Sequence, residues 1–264
     1  MRSRGFALII VLWTLVLLSL VMTHIVVTGR TEARIAANLT ANADAEAQAD
    51  GAVMETVFRL IDASESHWNV GDHALNLKRA KAQISVLQEN GKVNPNAASV
   101  ELMAALLVSC GAEPAQAGSL AAAISDWRSP GEQPGPGGAK LRQYRAAGMD
   151  HAPPNAPFES LDELQRVIGM TPELFQRLKP HLSLYQTGYP DLASADPVVA
   201  EAVRSLPLRP QTQTGAQHPQ TVSIMVEVAT DSGGRFLRHA VVRIEPPANQ
   251  SYSILSWDTE ASAE

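Results

Sequence analysis

The chain opens MRSRGFALIIVLWTLVLLSLVMTHIVVTGR (residues 1–30): two arginines and a glycine, then an unbroken apolar run. From Phe6 to Thr28 no side chain carries a fixed charge, and His24 is the only titratable one. A hydrocarbon core of ~30 Å needs about 20 apolar residues at ~1.5 Å each, so the run is long enough to span a bilayer. It ends Thr23-His24-Ile25-Val26-Val27, without the small-residue cleavage site of a removed secretory signal. Arg2 and Arg4 precede it, and the positive-inside tendency then holds the N-terminus in the cytoplasm. Arg30 and Arg34 beyond the run weaken that signal slightly. A single pass over 6–28 is expected, with the remainder of the chain across the membrane.

The next segment, RTEARIAANLTANADAEAQADGAVMETVFRLIDAS, is rich in Ala, Glu and Arg, all good helix formers, and no proline occurs before Pro95. Ile35, Leu39, Ala43, Ala47, Gly51, Met54, Phe58 and Ile61 recur every three or four residues and predict one narrow apolar stripe. The pattern predicts one nearly continuous helix from Phe6 to about Ala63. Its first part is expected in lipid; its second, a stalk over 29–64, is expected to lay this stripe on a folded domain.

Further on, Asn90-Gly91 lies between short runs holding Ile84, Val86 and Val93, the strongest short hairpin signal because both central residues of a type I′ turn need positive φ. Helical patterns follow at 100–110, with Ser99 as N-cap, and from Pro114 to about Trp127. RSPGEQPGPGGAK must be a loop, since its three Pro and four Gly suit neither helix nor central strand. Ser160 with Glu163 forms a capping box, Gly169 supplies a stop, and Thr171-Pro172 and Asp196-Pro197 open two more helices. Alternation returns at Val222, Ile224, Val226 and Val228, and turns at 231–234 and 246–247 predict a three-stranded antiparallel meander. The fold class expected is α+β: a long N-terminal helix packed on a small antiparallel sheet (65–94 and 186–264), with an all-helical subdomain inserted at 95–185.

Composition narrows the function classes. A formal net charge of -6 does not favour phosphate backbones. The single cysteine, Cys110, excludes an internal disulfide and sits among Leu106, Leu107 and Val108 as core filling. The histidines show no zinc spacing, and GPGGAK lacks the Ser or Thr and the preceding strand of a phosphate loop. No signature of catalysis is present, so an enzyme is not expected.

A basic leader ending in Gly5, then Phe6 and a long apolar helix, resembles the signature of type IV pilins and pseudopilins. The resemblance implies that a prepilin peptidase cuts between Gly5 and Phe6 and methylates the new amine of Phe6, leaving 1–5 as a removed leader. Most members carry glutamate at the fifth residue after the cut, where it is thought to pair with a neighbour's ammonium; here Ile10 stands in its place. A carboxylate in a bilayer is costly without a partner, and the member that lacks it is the minor pseudopilin K of type II secretion systems. QENGKVNPNAAS (88–99), the segment from Ala123 to Leu182 and the closing HAVVRIEPPANQSYSILSWDTE are similar to that family too. It implies a subunit capping the tip of the periplasmic pseudopilus and initiating its assembly, anchored in the bacterial inner membrane with its C-terminal domain in the periplasm. The implied partners are minor pseudopilins I and J, the major pseudopilin and the peptidase, with no nucleic acid.

The same resemblance offers one ligand, a calcium ion held in the insertion, with Asp126 and Glu132 as its carboxylates. Two carboxylates are few for a cation that takes about six to eight oxygens, and Asp126 equally caps or holds the loop. No other cofactor is expected. The rival reading comes from VIGMTPEL, which resembles a helix-hairpin-helix and would make the chain a membrane-tethered DNA-binding or DNA-uptake protein, or a type IV pilus-related component. Thr171 replaces the second hairpin glycine, however, and Glu159, Asp162, Glu163 and Glu173 place negative charge where phosphates would approach.

Overall fold

A computed structural model describes residues 4–62, 67–207, 219–245 and 251–259, the side chains of 4–8 and 25–29 excepted. Helix α1 runs from Arg4 to Ile61 without a break, ~85 Å by rise per residue. Five strands form one antiparallel sheet in sequential order: β1 (Gly71–Leu77), β2 (Ala80–Gln88), β3 (Gln220–Thr230), β4 (Arg235–Ile244) and β5 (Tyr252–Thr259). Every inward residue of β2 from Ala80 to Val86 is buried and its neighbours are exposed or half-buried, the alternation of a sheet with one covered face. The register pairs Ile84 with Val226, Val86 with Ile224, and Ile224 with Ala240. These side chains form one core with Ala49, Ala52, Val53, Val57 and Leu60 of α1, which lies across β3 and β4.

The face that α1 buries is not the expected one. Ala45, Ala49, Ala52, Val53, Thr56, Val57 and Leu60 are buried. The expected stripe from Ile35 to Phe58 is exposed throughout, with Ile61 half-buried. At about 100° per residue the two stripes lie roughly a third of a turn apart. The buried row begins with Ala45, Ala49 and Ala52, small side chains that let the helix axis approach the sheet closely, and Val53, Val57 and Leu60 fill the space below them.

The expected hairpin at Asn90-Gly91 is likewise corrected. The hairpin turns at Lys78-Arg79, joining β1 to β2, and β1 had no separate sequence signal. Asn90 instead stands at the doorway of the insertion. Its Oδ1 accepts from the Thr221 amide at 2.6 Å, its Nδ2 donates to the Pro219 carbonyl at 3.0 Å, and its own carbonyl accepts from Gln186 Nε2 at 2.6 Å. Gly91 is needed because the backbone of Ser194 and Ala195 passes where a Cβ would sit.

The insertion packs α2 (Val100–Ser109), α3 (Pro114–Arg128), α4 (Leu141–Ala146), a 3-10 turn over Leu161–Arg166, α5 (Pro172–Leu178), a short 3-10 turn over Lys179–His181 and α6 (Pro197–Arg204) around a second core. Leu102, Leu106, Leu120, Trp127, Tyr144, Phe158, Leu178 and Val203 lie in it. Because α6 packs on α2, this core reaches beyond the expected limit at 185. Val93 bridges Leu182 at its base. Ser99 caps α2 through the Leu102 amide at 3.2 Å, and Thr171 caps α5 through Leu174 at 3.2 Å.

Candidate functional site

The surface of α1 is the first candidate. Residues 9–24 are exposed along their whole length, with Ile10 at 49% and Trp13 at 64%. Among the described residues, no other part of the chain covers this apolar rod. Lower down, Ile35, Leu39, Met54 and Phe58 continue it as an open stripe on the side of the helix turned from the buried alanines. Water penalises so much contiguous apolar surface, so it requires lipid or other chains. Among the described residues, no helix is long and apolar enough to cross a membrane. Of the expected span 6–28, only the side chains of 9–24 are described. Gly5 and Phe6, the expected processing junction, lie outside the described side chains.

What sets the helix on the sheet is an ion cluster that the sequence reading did not single out. Arg238 of β4 is buried, and its Nε donates to Asp50 at 2.7 Å. One terminal nitrogen donates to Glu46 at 2.9 Å and the other to Thr259 of β5 at 2.8 Å. The guanidinium also lies over the rings of Phe236 and Trp257. Its signal was available: Arg238 alternates in step with Ala240, Val242 and Ile244, so it points to the helix side of the sheet and needs an acidic partner there.

The Gly-rich loop is the second candidate. Asp126 is buried and Glu132 is exposed. The Asp126 carboxylate accepts from the Gly135 amide at 3.1 and 3.2 Å. Lys140, 3% exposed, turns inward and donates to the Asp126 carbonyl at 2.5 Å, the Asn155 side-chain oxygen at 2.6 Å and the Ser129 carbonyl at 2.7 Å. Burial holds the Lys140 pKa below its ordinary value, against the smaller opposing pull of the Asp126 charge. Among the described residues no group of three His, Cys, Asp or Glu side chains is placed to hold a metal. A calcium ion at Asp126 would have to share the carbonyls that already bind an ammonium. The donor set does not fit it.

The hairpin motif is occupied with packing. Leu164, Val167, Leu174, Phe175 and Leu178 are buried in the insertion core. Glu163 accepts from the Ser160 amide at 3.0 Å, and Asp162 pairs with Lys179 at 2.9 Å. Cys110 is core filling as expected: burial pushes its thiol up to about 11 against the opposing pull of Arg177, far from a reactive thiolate.

Comparison with known proteins follows the same lines. Residues 73–187 match the family model of the type II secretion system (T2SS), protein K. A type II secretion system protein K of Klebsiella pneumoniae is 34% identical over 82 residues, which is 31% of this chain and 25% of that protein. The match therefore spans a quarter of that relative's length. A chain of the crystal structure of the GspK-GspI-GspJ complex from the enterotoxigenic Escherichia coli type 2 secretion system superposes with a TM-score of 0.62. It covers 88% of this chain and 99% of that one at 16% identity, a likeness of fold. The stretch from β1 through the helical insertion, set in this α+β architecture, is thus similar in sequence to the type II secretion system protein K family.

Proposed function

We propose that the protein is a minor pseudopilin that caps the tip of a type II secretion pseudopilus and initiates its assembly for export of folded proteins, a structural subunit and not an enzyme. The observation that carries this is the two-faced α1, which buries its alanines on its own sheet and keeps Ile9 to Met22, and then Ile35, Leu39, Met54 and Phe58, open. Before assembly, residues 6–28 lie in the inner membrane with the sheet and insertion in the periplasm. The cut falls between Gly5 and Phe6, and Phe6 is methylated. In the filament the same surface moves from lipid to the helices of neighbouring subunits.

Ile10 and the insertion set the position in the filament. An apolar residue at 10 offers no carboxylate to the ammonium of a subunit above, and none is needed at a tip. The helical insertion adds bulk that crowds such a subunit. The solved neighbour is a complex with GspI and GspJ, which supports the minor pseudopilins I and J as the partners on the open stripe, with the major pseudopilin below.

The test is co-expression with a prepilin peptidase followed by N-terminal sequencing. A mature chain beginning at methylated Phe6 is expected, and Gly5→Trp abolishes the cut. A chain that keeps residues 1–5 in the presence of active peptidase overturns the reading.

A further inference from the structure

We propose that the Lys140 ammonium is a built-in cation that replaces a divalent ion in organising the Gly-rich loop, so the insertion holds its fold without calcium. Three features of the site argue for this. An ammonium has three N–H donors and no acceptor, and Lys140 meets three oxygens, the Asp126 and Ser129 carbonyls and Asn155 Oδ1, at 2.5–2.7 Å. Each donor has one acceptor and none is left for solvent, consistent with a side chain that is 3% exposed.

Two of those acceptors belong to the C-terminus of α3, where the Asp126 carbonyl otherwise receives only the long 3.3 Å bond from the Ser129 amide and the helix dipole is negative. A positive charge is favoured there, whether it comes from a metal or a lysine. The third acceptor, from Asn155, brings in the segment that leads to Phe158, whose ring stacks on Trp127 with centroids 5.8 Å apart. Lys140 thus ties together the end of α3, the exit of the loop and the strap across Trp127.

The Asp126 carboxylate is committed as well. It accepts from Gly135, and Gly138 lies so close that a Cβ there would collide with it. With Glu132 exposed, the Asp126 and Ser129 carbonyls held by the ammonium and the Gly135 carbonyl held by the Gly138 amide, the surroundings of Asp126 offer a single carboxylate, itself committed, to an ion that takes about six to eight oxygens. The inference is independent of the assembly role, because it concerns only the folding of the insertion.

The full-length protein in detergent provides the test. Its Tm is expected to be the same in excess EGTA and in millimolar calcium chloride, and equilibrium dialysis is expected to show no calcium bound at the loop. Lys140→Met keeps the stem and deletes the donors. It is expected to lower Tm by about 5 °C or more and to speed protease cleavage within 130–139 by roughly tenfold. A wild-type Tm that falls on chelation, or calcium bound at the loop, overturns the proposal even if Lys140→Met does not fold. So does a Lys140→Met protein whose Tm and cleavage rate are unchanged.

Discussion

Arg238 Nε donates to Asp50 Oδ1 at 2.7 Å, joining the second-last strand to the long helix across 188 positions of sequence. The arginine is almost wholly enclosed, while Asp50 and Glu46 keep 41% and 51% of their side chains in water. Removing the cation leaves two carboxylates that can re-solvate, so the penalty falls below the ~3–5 kcal/mol of a fully buried broken pair. Arg238→Met is expected to cost about 2 kcal/mol, a drop of roughly 6 °C in Tm. Asp50→Asn in that background should add almost nothing, and a double-mutant cycle by urea unfolding measures the coupling.

Two glycines are expected to respond in opposite ways to alanine. Gly51 sits inside α1 with nothing within 4 Å of an added Cβ, so Gly51→Ala removes only unfolded-state freedom and should stabilise by about 1 kcal/mol. At Gly91 the same Cβ meets the backbone of Ser194 and Ala195, and Gly91→Ala must part the doorway of the insertion. A loss of about 2 kcal/mol is expected there. Chemical denaturation of both variants decides; a gain at both positions would mean that the doorway is loose.

The α+β class, the unbroken helix, the meander and most insertion helices were legible because each rests on local chemistry: period-two alternation, N-caps, prolines at first helical positions. What failed was partner choice. The expected stripe ran through Ala43, Ala47, Gly51, Met54 and Phe58, yet the sheet took Ala49, Ala52, Val53, Val57 and Leu60, because a helix with two apolar faces does not say by its period which of them meets the sheet. Asn90-Gly91 has the composition of a hairpin, but its tertiary bonds to Thr221, Pro219 and Gln186 outweigh that local preference. Lys140 stood at the end of a Pro- and Gly-rich stretch read as a loop, and nothing in one sequence separates an inward lysine from an outward one.

The start of α6 carries the expected acid sensitivity. Asp196 accepts from the Val198 amide at 2.8 Å, the Val199 amide at 3.1 Å and His181 Nδ1 at 2.8 Å. Burial raises its carboxyl pKa, but the His181 hydrogen bond, the two amides and the His181 charge together lower it below the usual carboxylate range. A carboxyl depressed in the folded state contributes stability that is present above its unfolded pKa and is lost as pH falls through the folded value. The wild type should therefore lose about 1 kcal/mol from this cap between about pH 4 and more acid conditions. Asp196→Asn should show a smaller change over that window. Urea unfolding of both proteins across the acid range measures the difference, and identical slopes would remove the cap from the account.

Phe58 and Val57 are neighbours in sequence with opposite expected fates. Phe58 is 62% exposed on the open stripe, and Val57 is 2% exposed against the sheet. Phe58→Glu replaces a side chain that stands mostly in water in the isolated chain, so Tm should stay within the effect of about 0.5 kcal/mol usual at surfaces. In an assembled pseudopilus the same carboxylate would be buried between helices without a partner, at a cost of several kcal/mol by order of magnitude. Val57→Ala instead opens a cavity worth about 2 kcal/mol in the chain's own core and leaves the outer stripe intact. Tm and co-purification with minor pseudopilins I and J, measured side by side, should therefore dissociate: Phe58→Glu folds normally and fails to assemble, while Val57→Ala is less stable and still assembles. If Phe58→Glu retains its partners, the stripe is not the contact surface and the helices must meet elsewhere on α1.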